Sequence, residues 1–155
     1  MSTPNDTLKH RLTGDLRAAM KARDEIVTAT LRMALAAVRS AEVAGPAARE
    51  LSDGEVLAVL GREAKQRREA AGAYAQAGRA ELATRERAEL AVLERYLPAQ
   101  LPDQELTDLV ARVLTAGGFA GPGAIGPAMK AVLAEVGGRA EGGRVAAEVR
   151  RQLAG

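Results

Sequence analysis

The side chains able to do covalent or metal chemistry are scarce in this 155-residue sequence. Cysteine is absent, which removes thiolate nucleophiles, disulfides and thiolate metal sites. His10 is the single histidine, too few for a histidine-rich metal site. The serines are Ser2, Ser40 and Ser52, and none lies in a nucleophile elbow. Carboxylates are plentiful, but nearly all have Arg or Lys at helical spacing, and no pair stands out as a general acid and base. These residue types predict no catalytic residue, no metal and no cofactor. They point to binding.

Two charged stretches could bind. In the first, Val56, Leu60, Glu63, Arg67, Ala70 and Tyr74 follow a 4-3-4-3-4 spacing, which is one face of a helix. Glu63 and Arg67 interrupt that apolar stripe as a pair four residues apart. Around them, Arg62, Lys65, Arg67 and Arg68 supply four cations in seven positions. One reading is a structural ion pair beside a solvated face. The other is a partner surface formed by Arg62, Glu63, Lys65, Arg67, Arg68 and Tyr74. The second stretch is Gly137-Gly138-Arg139-Ala140-Glu141-Gly142-Gly143-Arg144. A helix starting near Gly142 would offer free N–H groups and a partial positive charge to an anion, with Arg139 and Arg144 on either side. Glu141 competes, because its carboxylate could cap the helix itself. Turn chemistry alone also accounts for these glycines. The glycine-rich segment 117–126 is not a phosphate loop: Pro127 follows Gly126, Lys130 comes later, and no strand precedes.

The elements that must position these residues are helices, since period-2 alternation is scarce. The first helix begins near Asn5 or Asp6 and turns Leu8, Leu12, Leu16 and Ala19 to one side. Asp24 caps a second helix carrying Val27, Leu31, Ala34, Leu35 and Val38. Gly45-Pro46 is the predicted stop, with Gly45 left-handed. Ser52-Asp53-Gly54-Glu55 reads as a capping box opening a long third helix to about Gln76. A break at Gly78 gives a fourth helix to Tyr96, packed through Leu82, Leu90, Leu93 and Leu97. Pro98 and Pro102 interrupt the chain and suggest two domains, 1–98 and 99–155. Three short helices follow, 102–116, 122–136 and 142–153, separated by glycine pairs. The predicted class is all-α: about four helices with a long hairpin, then a three-helix bundle.

Composition agrees. Apolar residues at 47 % can build a core, but aromatics are only 2 %, so Ala and Leu must pack helices closely. The net charge of +2 has no basic tail behind it. No apolar run approaches a membrane span or a signal peptide, so the expectation is a cytoplasmic protein with no membrane contact.

Several stretches together resemble the GatB/YqeY family over essentially the full chain. They are Ala19-Met20-Lys21-Ala22-Arg23-Asp24, Leu31-Arg32-Met33, Arg62-Glu63-Ala64-Lys65-Gln66-Arg67 with Tyr74, and Glu94-Arg95-Tyr96-Leu97-Pro98-Ala99-Gln100-Leu101. In the second half they are Ile125-Gly126-Pro127-Ala128-Met129-Lys130 and Gly138-Arg139-Ala140, with Gly143 and Val145. The C-terminal part is similar to the tail domain of GatB, a subunit of the tRNA-dependent amidotransferase. The resemblance implies a non-catalytic, tRNA-binding or tRNA-associated accessory protein, with Lys130, Arg139 and Arg144 on the RNA backbone. Alternatives are an interaction module docking on a synthetase, an amidotransferase or the ribosome, and a carbon–nitrogen ligase activity with glutamine as donor inside a larger complex. Glu141 departs from the more usual Asp of the family and has a longer side chain for capping.

Overall fold

The computed structural model describes residues 6–155. Seven α-helices and no strand occur among them: α1 Leu8–Ala22, α2 Glu25–Glu42, α3 Asp53–Gln76, α4 Ala80–Glu94, α5 Asp103–Gly117, α6 Ile125–Val136 and α7 Gly142–Ala154. The all-α expectation holds. The chain divides into two compact units, one running to Leu97 and the other from Pro98 to Gly155.

In the first unit, α1 starts at Leu8, because Thr7 is its cap and accepts the His10 N–H at 3.2 Å. The helix thus starts two or three residues later than the expected Asn5 or Asp6, and Asn5 lies outside the described residues. The helix ends at Arg23, a left-handed residue with φ 55° and ψ 37°, and the Asp24 N–H closes the turn on the Ala19 carbonyl at 3.0 Å. Glycine is the usual residue at such a helix end. Asp24 caps α2 by accepting the Val27 N–H at 3.1 Å. Leu31, Ala34, Leu35 and Val38 of α2 are buried together with Leu12, Val56, Leu60, Val92 and Leu93.

Helix α2 stops at Glu42, earlier than the Gly45-Pro46 stop predicted from sequence, and Gly45 is not left-handed. The reason is Glu42 itself. Both its carboxylate oxygens accept Lys9 Nζ at 2.9 Å, and one also takes the Leu51 N–H at 3.2 Å. Its carbonyl accepts the Arg49 N–H at 3.0 Å. The loop into α3 is therefore tied to the last residue of α2, which Lys9 holds below its ordinary pKa. The capping box is present, with the Ser52 hydroxyl and the Glu55 carboxylate exchanging hydrogen bonds with each other's backbone N–H at 3.2 Å.

Gly78, with φ 74°, folds α3 back along α4. The hairpin packs through Ala64, Ala71 and Ala83, so the helices approach closely on small side chains. This displaces two sequence expectations. Leu82 is 39 % exposed while Ala83 turns inward, and α4 ends at Glu94 rather than at Tyr96. Beyond the helix, the buried Tyr96 ring lies under Arg11 at 4.8 Å, and its hydroxyl donates to Asp15 Oδ2 at 2.5 Å. Burial and then that hydrogen bond raise the phenol pKa above its usual range.

In the second unit, left-handed Gly118 ends α5, and a 3-10 turn over Pro122–Ala124 leads into α6. Gly117 is required for contact: a Cβ there would sit 2.3 Å from the Phe119 ring. Leu106, Val110, Ala128, Val132, Val145 and Val149 form the centre of the core. Gln152 ties α7 to α5 by donating to the Thr107 carbonyl at 3.0 Å. Glu148 is held down to about pKa 2, chiefly by its hydrogen bond from Arg151. Among the described residues no single helix is long and apolar enough to cross a membrane; α5 and the segment through α6 would be together, but they meet at 95°.

Two outcomes follow from the helix ends and the carboxylates. Arg23→Gly should raise stability by roughly 0.5–1 kcal/mol, since relief of left-handed strain exceeds the added chain entropy. Urea unfolding followed by circular dichroism measures this. Glu55 is lowered from 4.5 to about 2, chiefly by its hydrogen bond from Arg49, as Glu148 is by Arg151. A depressed folded-state pKa contributes stability that is complete above pH 4.5 and is lost as the pH falls toward about 2. The same urea assay should show a falling midpoint across that window, and a flat midpoint would contradict the assignment.

Candidate functional site

The corner between α6 and α7 is built by glycine and arginine. Gly137 and Gly138 are both left-handed, at φ 56° and 83°, and reverse the chain. Arg139 folds back over the end of α6, its Nε donating to the Val136 carbonyl at 2.9 Å and its Nη2 to the Glu135 carbonyl at 2.8 Å. A cation there answers the unpaired carbonyls and the negative end of the helix. Arg144 Nη2 donates to the Leu101 carbonyl at 2.8 Å and to the exposed Asp103 carboxylate at 2.9 Å. The Leu101 N–H donates to the Arg139 carbonyl at 2.7 Å, which closes the corner onto the segment before α5. Both arginines thus fasten backbone, and each keeps further N–H donors beyond these bonds.

Glu141 is the N-cap residue of α7, yet its side chain makes no capping hydrogen bond, and the first turn holds no acidic residue. The N–H groups of the first turn have no intrahelical acceptor. Gly142 and Gly143 are exposed with open space around them, so an anion can reach the backbone. Arg139 and Arg144 stand at this corner. Lys130 is exposed nearly two turns back along α6.

The other charged stretch does not form one surface. Its six residues separate: Arg62 and Lys65 are exposed, Glu63, Arg68 and Tyr74 are half-buried, and Arg67 is inside, its side chain only 9 % exposed. The buried face of α3 is Val56, Val59, Leu60, Ala64, Arg67 and Ala71, so the stripe continues through Ala71 rather than through Ala70 and Tyr74. Three carboxylates converge on Arg67. Glu89 Oε2 lies 3.0 Å from Nε, Glu63 Oε2 3.5 Å from Nη2, and Glu86 Oε2 3.7 Å from Nε. Nη2 also touches Met33 Sδ at 3.5 Å. Nε and Glu86 Oε2 are buried without an aligned hydrogen bond, so charge attraction rather than hydrogen-bond geometry holds this cluster. Arg85 reaches Glu89 from the solvent side at 3.3 Å. Glu86 and Glu89 escaped the sequence reading, though a signal existed: Arg67 and Glu89 lie at equal distances along the chain from Gly78.

A third arrangement had no counterpart in that reading. An open groove of about 560 Å³ lies at the α1–α2 elbow, lined by Arg23, Arg32 and Arg85, with Met20, Asp24, Glu25, Thr28 and Ala29. Among the described residues, no group of three or more His, Asp or Glu is placed to hold a metal ion.

Fold and sites together define a class: an all-helical protein of a four-helix unit and a three-helix unit, with arginines set at helix ends and a buried arginine in its long hairpin. Residues 9–153 match the family described as Yqey-like protein, and the chain belongs to that family. A relative is the yeast protein named "Altered inheritance of mitochondria protein 41, mitochondrial", from Meyerozyma guilliermondii. It is 32 % identical over 96 residues, covering 62 % of this chain and 49 % of the relative. The chain thus matches about half the length of that relative.

Arg67→Ala should destabilise the protein by about 3–5 kcal/mol, because it strands buried carboxylates without their cation. Chemical denaturation monitored at 222 nm reads this, and a loss below about 1 kcal/mol would mean that the carboxylates reach water in its absence.

Proposed function

We propose that this protein binds structured RNA, tRNA foremost, as a non-catalytic accessory, and that the α6–α7 corner contacts RNA phosphates. The observation that carries the reading is the uncapped start of α7. No side-chain capping hydrogen bond is made there, the first turn has no acid, and Arg139 and Arg144 stand at the same corner. A helix N-terminus of this kind is suited to phosphate. Lys130 adds a further cation on α6. The choice of tRNA rests on the resemblance, read from the sequence, of the C-terminal stretches to the tail domain of the tRNA-dependent amidotransferase. Recognition rests on shape and phosphate, because Phe119, Tyr74 and Tyr96 offer little surface for base stacking. The setting we propose is the cytoplasm, which suits a chain without cysteine.

Fluorescence anisotropy with labelled tRNA tests the reading. With about three phosphate contacts, affinity should fall roughly 20- to 40-fold between about 50 and 200 mM salt. Gly143→Asp is the informative variant. A carboxylate in the first turn of α7 favours the helix dipole, so thermal stability should hold or rise, while tRNA affinity drops about tenfold through repulsion at the same place. Lys130→Gln should weaken binding and reduce the salt slope by about one. Absence of tRNA binding at low salt would sink the reading. Should binding to a protein survive nuclease treatment of a lysate instead, the docking role through exposed Arg62 and Lys65 takes its place.

A further inference from the structure

We infer that the groove at the α1–α2 elbow is a second anion site, which takes phosphate groups through Arg23, Arg32 and Arg85. Neither Arg23 nor Arg32 has a side-chain partner among the described residues. Arg85 meets only Glu89, through Nε at 3.3 Å, which leaves its terminal nitrogens available. Two of the arginines come from the elbow and α2, and the third comes from α4, so they line the cavity from separate elements. A planar carboxylate is saturated by one bidentate guanidinium, whereas a tetrahedral phosphate presents oxygens in several directions at once. The start of α2 is not the attraction, because Asp24 caps it with its own carboxylate, accepting the Val27 N–H. Glu25 also lines the groove and opposes an anion, leaving three cations against two carboxylates.

Arg23 supplies the second line of argument. Every other left-handed position among the described residues is glycine: Gly78, Gly118, Gly121, Gly137 and Gly138. Only here does a residue with a side chain sit on a backbone that disfavours one, and that residue lines the groove. The groove is open, shaped for the edge of a larger phosphate-bearing molecule or for an exposed phosphate ester. Phosphate is the chemistry common to both.

The test titrates the 15N-labelled full-length protein with inorganic pyrophosphate and, separately, with a short single-stranded RNA, against sodium chloride at matched ionic strength. Expected are shifts in the Nε–H signals of Arg23, Arg32 and Arg85 and in the amides from Arg23 to Ala29. Arg32→Gln and Arg23→Gly should each weaken the response about tenfold, and Glu25→Gln should tighten it. Arg23→Gly retains or gains stability, so its loss of binding cannot be blamed on unfolding. A response to RNA assigns the phosphate source to nucleic acid. A response to pyrophosphate alone assigns it to a small phosphate ester and sustains the site even if tRNA binding fails. Shifts no larger than those with sodium chloride, or unchanged affinity in both arginine variants, overturn the proposal.

Discussion

A guanidinium taken out of water must be answered by charge, and the N-terminal unit is arranged around that requirement. Arg67 sits inside the α3–α4 hairpin, where an unpaired charge would be far too costly to keep. Glu63 answers it from one turn away on the same helix, while Glu86 and Glu89 answer from the opposite helix. The contacts with Glu86 and Glu89 depend on how α3 and α4 are placed, whereas Glu63 shares the helix of Arg67. The alanines of the hairpin interface set distance but not register, since a slide of one small residue past another changes little volume. Arg67 therefore specifies the pairing that Ala64, Ala71 and Ala83 allow but do not select, a role for which buried polar groups are well suited.

The same pairing alters the outer charge. Three carboxylates turn toward one buried cation, and Glu42 and Glu55 are engaged by Lys9 and Arg49. The formal balance of +2 counts these acids equally with exposed ones. A partner at the surface meets instead a set of acids already neutralised and a set of arginines, among them Arg23 and Arg32, that are not. In the C-terminal unit the logic differs. Arg139 and Arg144 spend donors on carbonyls of their own chain, so their positions are fixed before any ligand arrives. Anchored cations lose less side-chain entropy on binding than mobile ones.

Much of the architecture was legible in the sequence because helix ends are local chemistry. The Ser52–Glu55 box, the Asp24 cap and the break at Gly78 depend on residues within a turn of one another, and the structure has all three. The failures have a common source in contacts distant along the chain. Gly45-Pro46 looked like a helix stop, but Lys9 and Leu51 draw Glu42 in and end α2 sooner. Leu82 looked like core, but close alanine packing turned Ala83 inward. The charged stripe on α3 was visible as an interruption, and its partners were not, because two of them lie on α4. Similarly, Arg139 and Arg144 were identifiable as cations beside a helix start, while their hold on the α6 carbonyls and on Leu101 required the fold. The elbow groove was beyond reach altogether, since it draws on three separate elements.

Arg23 shows where local rules and binding chemistry part. The sequence places glycine at every other left-handed turn among the described residues, so its use of the residue suited to that backbone is consistent. A side chain in this conformation costs on the order of 1–2 kcal/mol, a sizeable share of the ~5–15 kcal/mol by which a domain is usually stable. Arg23 forms no ion pair or hydrogen bond through its side chain among the described residues that would offset this cost. Arg23 does line the groove, together with Arg32 and Arg85. Stability alone would favour glycine at this helix end, as it does at the others, so the side chain is best understood through what it can bind.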